Sequence, residues 1–497
     1  MQIAEKTRAF TSFINGTWSP AESSKTLENL NPATGESLGT VFLAGREDAI
    51  RAIDSAHQAF HLWKDTPAPK RGELLFKAWS ILDRRREEVA QALTLEEGKL
   101  LAEARGEVQK SLNIMEFMAG EGRRIGGQTA PSELPHTFCY TLKQPLGVVG
   151  LITPWNFPVA IPIWKMAPAL VAGNTVVLKP ASNTPWTAAL ITEIFAEAGF
   201  PAGVVNMVLG PGSSVGDEIV KNPLVRALSF TGSNQVGQDL YRQGAARGVK
   251  VQTEMGGKNP IVILEDADLD LAVEATVQGA FGSTGQRCTA TSRAIVIDSV
   301  ADEFVAKLVA RAKTMKAGPG TASGVDLGPV VDSSQLAEVL AAIEQARSDG
   351  AKCLLGGHRV EDGELAKGFF VAPTIFDHVD PKSNLALEEV FGPVLAILRV
   401  KDLDEALEVA NSVRYGLSSS IYSHDSNRIF RFIDRIETGI THVNSPTMGG
   451  EAQLPFGGIK ETGVGAREQG SVAIDFFTEL KTVYIDYTGQ KRESKIY

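Results

Sequence analysis

From Gly147 onward the chain repeats one pattern that leaves few folds open. Short apolar runs occur at 147–152, 175–178, 204–209, 225–230 and 249–253, with amphipathic stretches between them at 185–198, 213–221 and 235–243. Strand-length apolar runs separated by helix-length amphipathic ones specify βαβ units and a parallel sheet buried on both faces. Such a sheet binds ligands beyond the carboxyl ends of its strands. The residues that follow each run are therefore the first place to look for chemistry.

The rest of the chain divides around this block. The first quarter is predicted to be mostly helical, with helical spacing of apolar residues at 47–60, 71–94 and 103–119. A Gly-, Pro- and Ser-rich boundary at 120–135 precedes an alternating strand at 136–144. A second α/β block covers about 260–439, with helices at 268–281, 301–315 and 403–411 and strands at 293–297, 395–400 and 418–422. The tail alternates at 481–487, far from the other strands, and reads as an edge strand used in assembly.

Composition removes other classes. With 497 residues, 43% hydrophobic and 22% charged, the chain is expected to form several folded domains rather than a disordered or fibrous protein. A net charge of −10 argues against a general nucleic-acid binder. Cys139, Cys288 and Cys353 are sparse, odd in number and without zinc-like spacing, which fits a reducing compartment and predicts no metal site. The start, 1–10, is polar and charged, unlike a signal peptide. The longest apolar stretch, 147–178, is interrupted by four prolines, Lys165 and Asn174, so no membrane span is expected. A cytoplasmic protein is the expectation.

Five places carry candidate chemistry. Asn156, in Pro154-Trp155-Asn156-Phe157-Pro158, is an amide in a rigid turn at a strand end, able to donate to an oxyanion or to close an Asx-turn. Gly210 to Gly216 follows a strand and opens a helix, as a phosphate-binding turn or an ordinary tight turn would. Thr231-Gly232-Ser233 to Gly237 places a glycine and a serine at a helix N-terminus, where main-chain N–H groups favour a phosphate, or where Ser233 is a simple cap. Glu254 ends an apolar run before Gly256-Gly257, as a general base or a salt-bridged end residue. Cys288, in Gly285-Gln286-Arg287-Cys288-Thr289-Ala290, is either a small buried hydrophobe or a nucleophile whose thiolate Arg287 would favour.

Three of these segments, 154–158, 253–260 and 285–290, together with Glu388-Glu389-Val390-Phe391-Gly392-Pro393, resemble signatures of the aldehyde dehydrogenase superfamily, in its order. Pro455-Phe456-Gly457-Gly458-Ile459-Lys460 resembles another. The resemblance covers nearly the whole chain. It implies an α/β architecture of three parts: a Rossmann-like cofactor domain (1–124 and 145–255), an α/β catalytic domain (256–470) and a small β oligomerisation element (125–144 and 471–497) that joins a homodimer or homotetramer.

The same resemblance implies the chemistry. Cys288 would attack an aldehyde, Asn156 would hold the oxyanion, and Glu254 would activate the water that releases the acid. Thr153, Pro154, Trp155, Lys179, Ser182, Gly212, Gly232, Ser233, Gly237, Glu389 and Phe391 would contact the dinucleotide. Many NAD-dependent members carry Glu where this chain has Ser182, which implies that NADP is accepted and can be preferred over NAD. Phe157, Trp164 and Phe456 would line the aldehyde tunnel, and Arg287 would either meet a substrate carboxylate or turn into a structural ion pair. Arg287-Cys288-Thr289-Ala290 and the stretch 463–470 are similar to dehydrogenases of α-ketoglutaric semialdehyde (2,5-dioxopentanoate), with succinate semialdehyde the nearest alternative. A cofactor-independent thiol esterase and a catalytically silent binding protein are the rivals of a different class.

Overall fold

In the computed structural model, residues 8–491 are described. The expectations for 1–7 of the start and 492–497 of the tail lie outside the described residues. The apolar runs form the middle of an eight-stranded sheet in the order Gly463–Val464, Lys250–Glu254, Val225–Thr231, Val148–Ile152, Thr175–Lys179, Val205–Met207, Ser12–Ile14 and Thr17–Ser19. The five central strands are parallel, as their helix-length connections require.

Val148–Ile152 comes first of the five in sequence. The chain then adds Thr175–Lys179 and Val205–Met207 on one side, and Val225–Thr231 and Lys250–Glu254 on the other. The winding direction therefore reverses between Val148–Ile152 and Val225–Thr231. A crevice opens at that reversal, beyond the carboxyl ends. Its two lips are the turn after Ile152, carrying Thr153 to Phe157, and the turn after Thr231, carrying Gly232 and Ser233.

A seven-stranded sheet forms the second α/β body, in the order Lys352–Leu355, Thr374–Asp377, Val394–Val400, Thr291–Ile297, Asn259–Ile263, Ser418–Tyr422 and Ile440–Val443. Only Lys352–Leu355 runs antiparallel to its neighbour. The chain passes from Glu254, at the carboxyl end of the first sheet, to Asn259, at the start of the second, through four residues. That short passage brings the Cys288 loop, which precedes Thr291–Ile297, over the crevice. Gly463–Val464 returns to pair with Thr253 and Glu254, so the first sheet borrows its edge strand from far along the chain.

Several expectations need correction. The first quarter begins with five strands, Arg8–Phe10, Ser12–Ile14, Thr17–Ser19, Thr26–Leu30 and Ser37–Phe42. At three to six residues, with mixed burial, they are too short for alternation to reveal them. The helix expected over 71–94 is two, Ala68–Arg84 and Arg86–Glu97, broken at Arg85, whose guanidinium binds Glu88 at 2.8 Å and Glu193 at 2.9 Å. A one-residue break leaves the apolar spacing almost intact. The stretch expected as one helix at 213–221 is a π-helical turn, Gly212–Gly216, followed by Asp217–Lys221. The tail strand, Thr478–Asp486, is not alone: it pairs over nine residues with Thr137–Pro145, and Thr129–Pro131 completes a three-stranded sheet. No helix among the described residues is long and apolar enough to cross a membrane.

Asn174 is the joint of the first body. The helix Ala160–Ala172 ends at Gly173, and Asn174 follows, fully buried. Its Oδ1 accepts from the N–H of Leu146 at 2.7 Å and of Gly147 at 3.1 Å. Its Nδ2 donates to the carbonyls of Ala169 at 3.1 Å and Phe477 at 2.8 Å. One side chain thus satisfies the entry to a central strand, a helix end and the approach to the tail. Asn174→Ala strands these buried groups and should lower stability by about 2–4 kcal/mol. Urea unfolding followed by far-UV circular dichroism measures this, and an unshifted first transition would contradict it.

Candidate active site

The turn after Ile152 is held from behind. Lys99 and Glu107 form a buried ion pair at 2.7 Å. Lys99 Nζ also donates to the Asn156 carbonyl at 2.7 Å, and its ammonium lies 4.1 Å from the Phe157 ring centre. Glu107 Oε1 accepts from the N–H groups of Val159 at 2.9 Å and Ala160 at 3.0 Å, at the start of the helix Ala160–Ala172. These contacts fix the Asn156 main chain. Its side-chain Nδ2 donates one hydrogen to the Gln286 carbonyl at 2.9 Å and keeps a second for another acceptor.

Gln286 belongs to the Cys288 loop. The approach to that loop is contorted: Ser283, Thr284 and Gly285 have φ of 49°, 58° and 69°. Left-handed backbone at two non-glycine residues in succession is costly and is held by its surroundings. At Gly285 a Cβ would also strike the Gly392 carbonyl. Beyond the cysteine, Asn259 Nδ2 donates to the carbonyls of Cys288 at 2.7 Å and Ala290 at 2.9 Å, and its Oδ1 accepts from Ser418 N–H at 3.0 Å. The loop is therefore clamped on both sides.

Two carboxylates flank the thiol. Glu254 ends the strand Lys250–Glu254 and is buried beside the Lys165–Glu468 ion pair; its Oε2 has no hydrogen-bond partner among the described residues. Burial first, and the charge of Glu468 second, hold the Glu254 carboxyl well above the usual carboxylate range, against Lys165, Arg467 and the Gly458 N–H. Glu389 Oε1 accepts from Gly257 N–H at 3.1 Å. A Cβ at Gly256 would collide with this carboxylate, so the glycine pair is what lets Glu389 dock. Burial pushes Glu389 up to about 7, although Gly257 N–H and Lys258 pull it down.

Cys288 is partly exposed through the cavities that it borders, yet burial pushes its thiol up to about 12, with Glu389 and Glu254 adding to the rise. The expectation that Arg287 favours the thiolate is not met. Its guanidinium is taken up by Glu103 at 3.3 Å, Ser283 Oγ at 2.8 Å and Met448 Sδ at 3.0 Å. The charges that act on the sulfur are the carboxylates.

Two cavities converge on this cysteine. One, of about 320 Å³, is lined by Phe157, Ile161, Trp164, Arg287, Cys288 and Phe456, together with Glu103, Lys110, Met448 and Gln469. The other, of about 300 Å³, is lined by Pro154, Trp155, Asn156, Gly232, Ser233, Cys288, Glu389 and Phe391. The Trp155 and Phe391 rings meet at right angles, 5.5 Å apart, in its wall. Cys288 and Ile161 line both cavities.

Six expected residues lie outside these walls, the buried Glu254 among them. Thr153 is buried beside Lys179, on neighbouring strand ends; Thr153 N–H donates to the Lys179 carbonyl at 3.1 Å. Lys179 Nζ donates to the Pro180 carbonyl at 2.9 Å, and burial lowers it to about 8. Ser182 is partly exposed in the following turn, and Gly212 is exposed at the start of the π-helical turn. Gly237 is buried against Met255 and Phe230 inside its helix.

A dinucleotide fits this edge of the sheet. Thr153 Oγ1 and Thr231 Oγ1 are buried there without hydrogen-bond partners among the described residues. Ser233 begins the helix Asn234–Ala246 without its side chain capping it, leaving hydroxyl and helix N–H groups for a phosphate. Lys99, Glu107, Asn259, Glu103, Lys165 and Glu468 were not singled out from the sequence. Each acts through a partner distant in sequence, and only a buried charge on an otherwise apolar helix face signals Glu107.

The sequence matches the Aldehyde dehydrogenase family over residues 18–483. It is 45% identical over 486 residues to the "Alpha-ketoglutaric semialdehyde dehydrogenase" of Bacillus subtilis (strain 168), covering 98% of this chain and 100% of that one. It is 45% identical over 460 residues to a "2,5-dioxopentanoate dehydrogenase" of Saccharolobus solfataricus, covering 92% and 95%. Among solved structures, betaine aldehyde dehydrogenase from Staphylococcus aureus in complex with NAD+ superposes with a TM-score of 0.95 at 33% identity, covering 98% of this chain and 97% of that one.

Because the Cys288 thiol is held high by burial and two carboxylates, its alkylation by iodoacetamide should keep accelerating with pH beyond pH 9, with Cys288→Ala as the background. A plateau near pH 7 would show a low-lying thiolate and contradict this electrostatic account.

Proposed function

From the premise that this chain belongs to the aldehyde dehydrogenase family, we propose that it oxidises a carboxylate-bearing semialdehyde such as 2,5-dioxopentanoate to the acid, through a thiohemiacetal and a thioester on Cys288. The observation that carries this reading is that one cysteine is the common wall of two cavities. One is apolar and ends in charged groups; the other lies where a parallel sheet binds a dinucleotide. Succinate semialdehyde is the alternative substrate.

The residues divide the work. The Cys288 thiolate adds to the aldehyde carbon, forming the carbon–sulfur bond and an oxyanion. The free hydrogen of Asn156 Nδ2 and the Cys288 N–H receive that oxyanion, held in place by the Lys99–Glu107 pair behind the turn. When bound, NAD(P) supplies the acceptor for the hydride that leaves the adduct. Glu254 takes a proton from water as its oxygen adds to the thioester, and Cys288 leaves as thiolate when the acid departs. The unpartnered Glu254 Oε2 is free to do so.

Dinucleotide contacts fall to Thr153, Pro154, Trp155, Lys179, Ser182, Gly212, Gly232, Ser233, Gly237, Glu389 and Phe391. A serine rather than a carboxylate at 182, next to the buried cation Lys179, suits a 2′-phosphate and makes NADP a substrate. Residues 1–124 and 145–255 would form the cofactor domain and 256–470 the catalytic domain. The three-stranded sheet, from 125–144 and the tail, has an outer strand exposing Leu480, Tyr484 and Ile485, an edge suited to a second copy in a homodimer or homotetramer.

Glu254→Gln should keep the first, cofactor-reducing turnover and accumulate acyl-enzyme, cutting steady-state turnover by roughly 100-fold or more; unchanged turnover would remove Glu254 from deacylation. A panel of semialdehydes, followed by absorbance of the reduced nicotinamide with each cofactor, tests the rest. kcat/KM with NADP should equal or exceed that with NAD. A strong NAD preference refutes the cofactor assignment, and ester cleavage without nicotinamide reduction by any aldehyde refutes the reaction.

A further inference from the structure

Arg287 was expected either to anchor a substrate carboxylate or to sit in a structural ion pair, and its charge is already met. Glu103 lies 3.3 Å from Nη2, and Ser283 Oγ accepts from Nε at 3.0 Å and from Nη2 at 2.8 Å. Glu107, in the same cavity, is neutralised by Lys99. Among the described residues, one cation of the cavity remains. Lys110 projects from the helix Leu101–Glu121 one turn beyond Glu107. Its Nζ donates to two neutral acceptors, the Gly450 carbonyl and Gln469 Oε1, the latter at 2.8 Å. No described carboxylate lies within ion-pair distance; Glu451 acts on it only from farther away. Gln469 is 1% exposed, sits at a φ of 59° and has no acceptor for its Nε2 among the described residues. A strained, buried amide with an unused donor, touching an uncompensated ammonium in the same cavity, is a site built for an anion.

We propose that Lys110, oriented by Gln469, is the residue that selects the remote carboxylate of the semialdehyde, while the Arg287–Glu103 pair shapes the wall between that carboxylate and Cys288. This rests on the aldehyde-oxidising reading above. Burial lowers Lys110 to about 8, so it is mainly protonated at neutral pH, and a carboxylate beside it would hold that proton more firmly.

The test is a ratio. kcat/KM is measured for succinate and glutarate semialdehydes and for butanal and pentanal, in the wild type, Lys110→Met and Arg287→Met, at saturating NADP. The charged-over-uncharged ratio should fall roughly 10- to 100-fold in Lys110→Met, mainly through KM for the charged substrates, and recover in part in Lys110→Arg. Equal losses on both substrate types, or a ratio that falls only in Arg287→Met, would overturn the assignment and leave the reaction intact. A wild type that oxidises no aldehyde would instead overturn the reaction itself. Lys110→Gln gives the same ratio by a second route if Lys110→Met melts early.

Discussion

The buried pair between Lys99 and Glu107 is the contact on which the site depends. Both side chains are taken fully out of water, and each spends its remaining bonding capacity on main chain: Lys99 on the Asn156 carbonyl, Glu107 on the first N–H groups of a fully buried helix. A pair of this kind contributes little net stability, but losing one partner costs about 3–5 kcal/mol, because the other charge is left alone. Its effect is positional. It ties the N-terminal helices to the turn where the sheet reverses its winding, so the Asn156 amide faces the Cys288 loop from a fixed distance.

From the other side, the second sheet supplies a matching clamp. Asn259 holds the carbonyls of Cys288 and Ala290, and the Gly256–Gly257 passage admits the Glu389 carboxylate against the main chain. The two α/β bodies thus meet through hydrogen bonds that converge on one loop. The dense burial that orders them also sets the protonation states. Cys288, Glu254 and Glu389 are all displaced toward their neutral forms, and buried Lys258 is lowered to about 7. Groups buried in so apolar a setting respond strongly to any charge that develops among them.

Much of this was legible beforehand. The central strands and their helices followed from apolar spacing, and Asn156, Ser233 and Glu254 stand at strand ends, as the turn chemistry around them required. The five short N-terminal strands were not legible, since three to six residues of mixed exposure carry no period. Nor was the break at Arg85, where one residue interrupts two helices that share a face. The role of Arg287 was left open between substrate and ion pair, and the structure places Glu103 against it. The terminal strand was readable as an edge, but its nine-residue partner, Thr137–Pro145, was not identifiable from alternation alone.

Local order, then, was set by the amino-acid sequence itself: period, turn residues and caps act over a few positions, and they determined which segments are strands and which side chains end them. Who meets whom was decided only by the tertiary structure. Arg287 finds its carboxylate 184 positions away, and Lys110 finds Gln469 359 positions away. Contacts at such separations leave no trace in local spacing, because they come from the packing of two sheets rather than from the chain's own repeat.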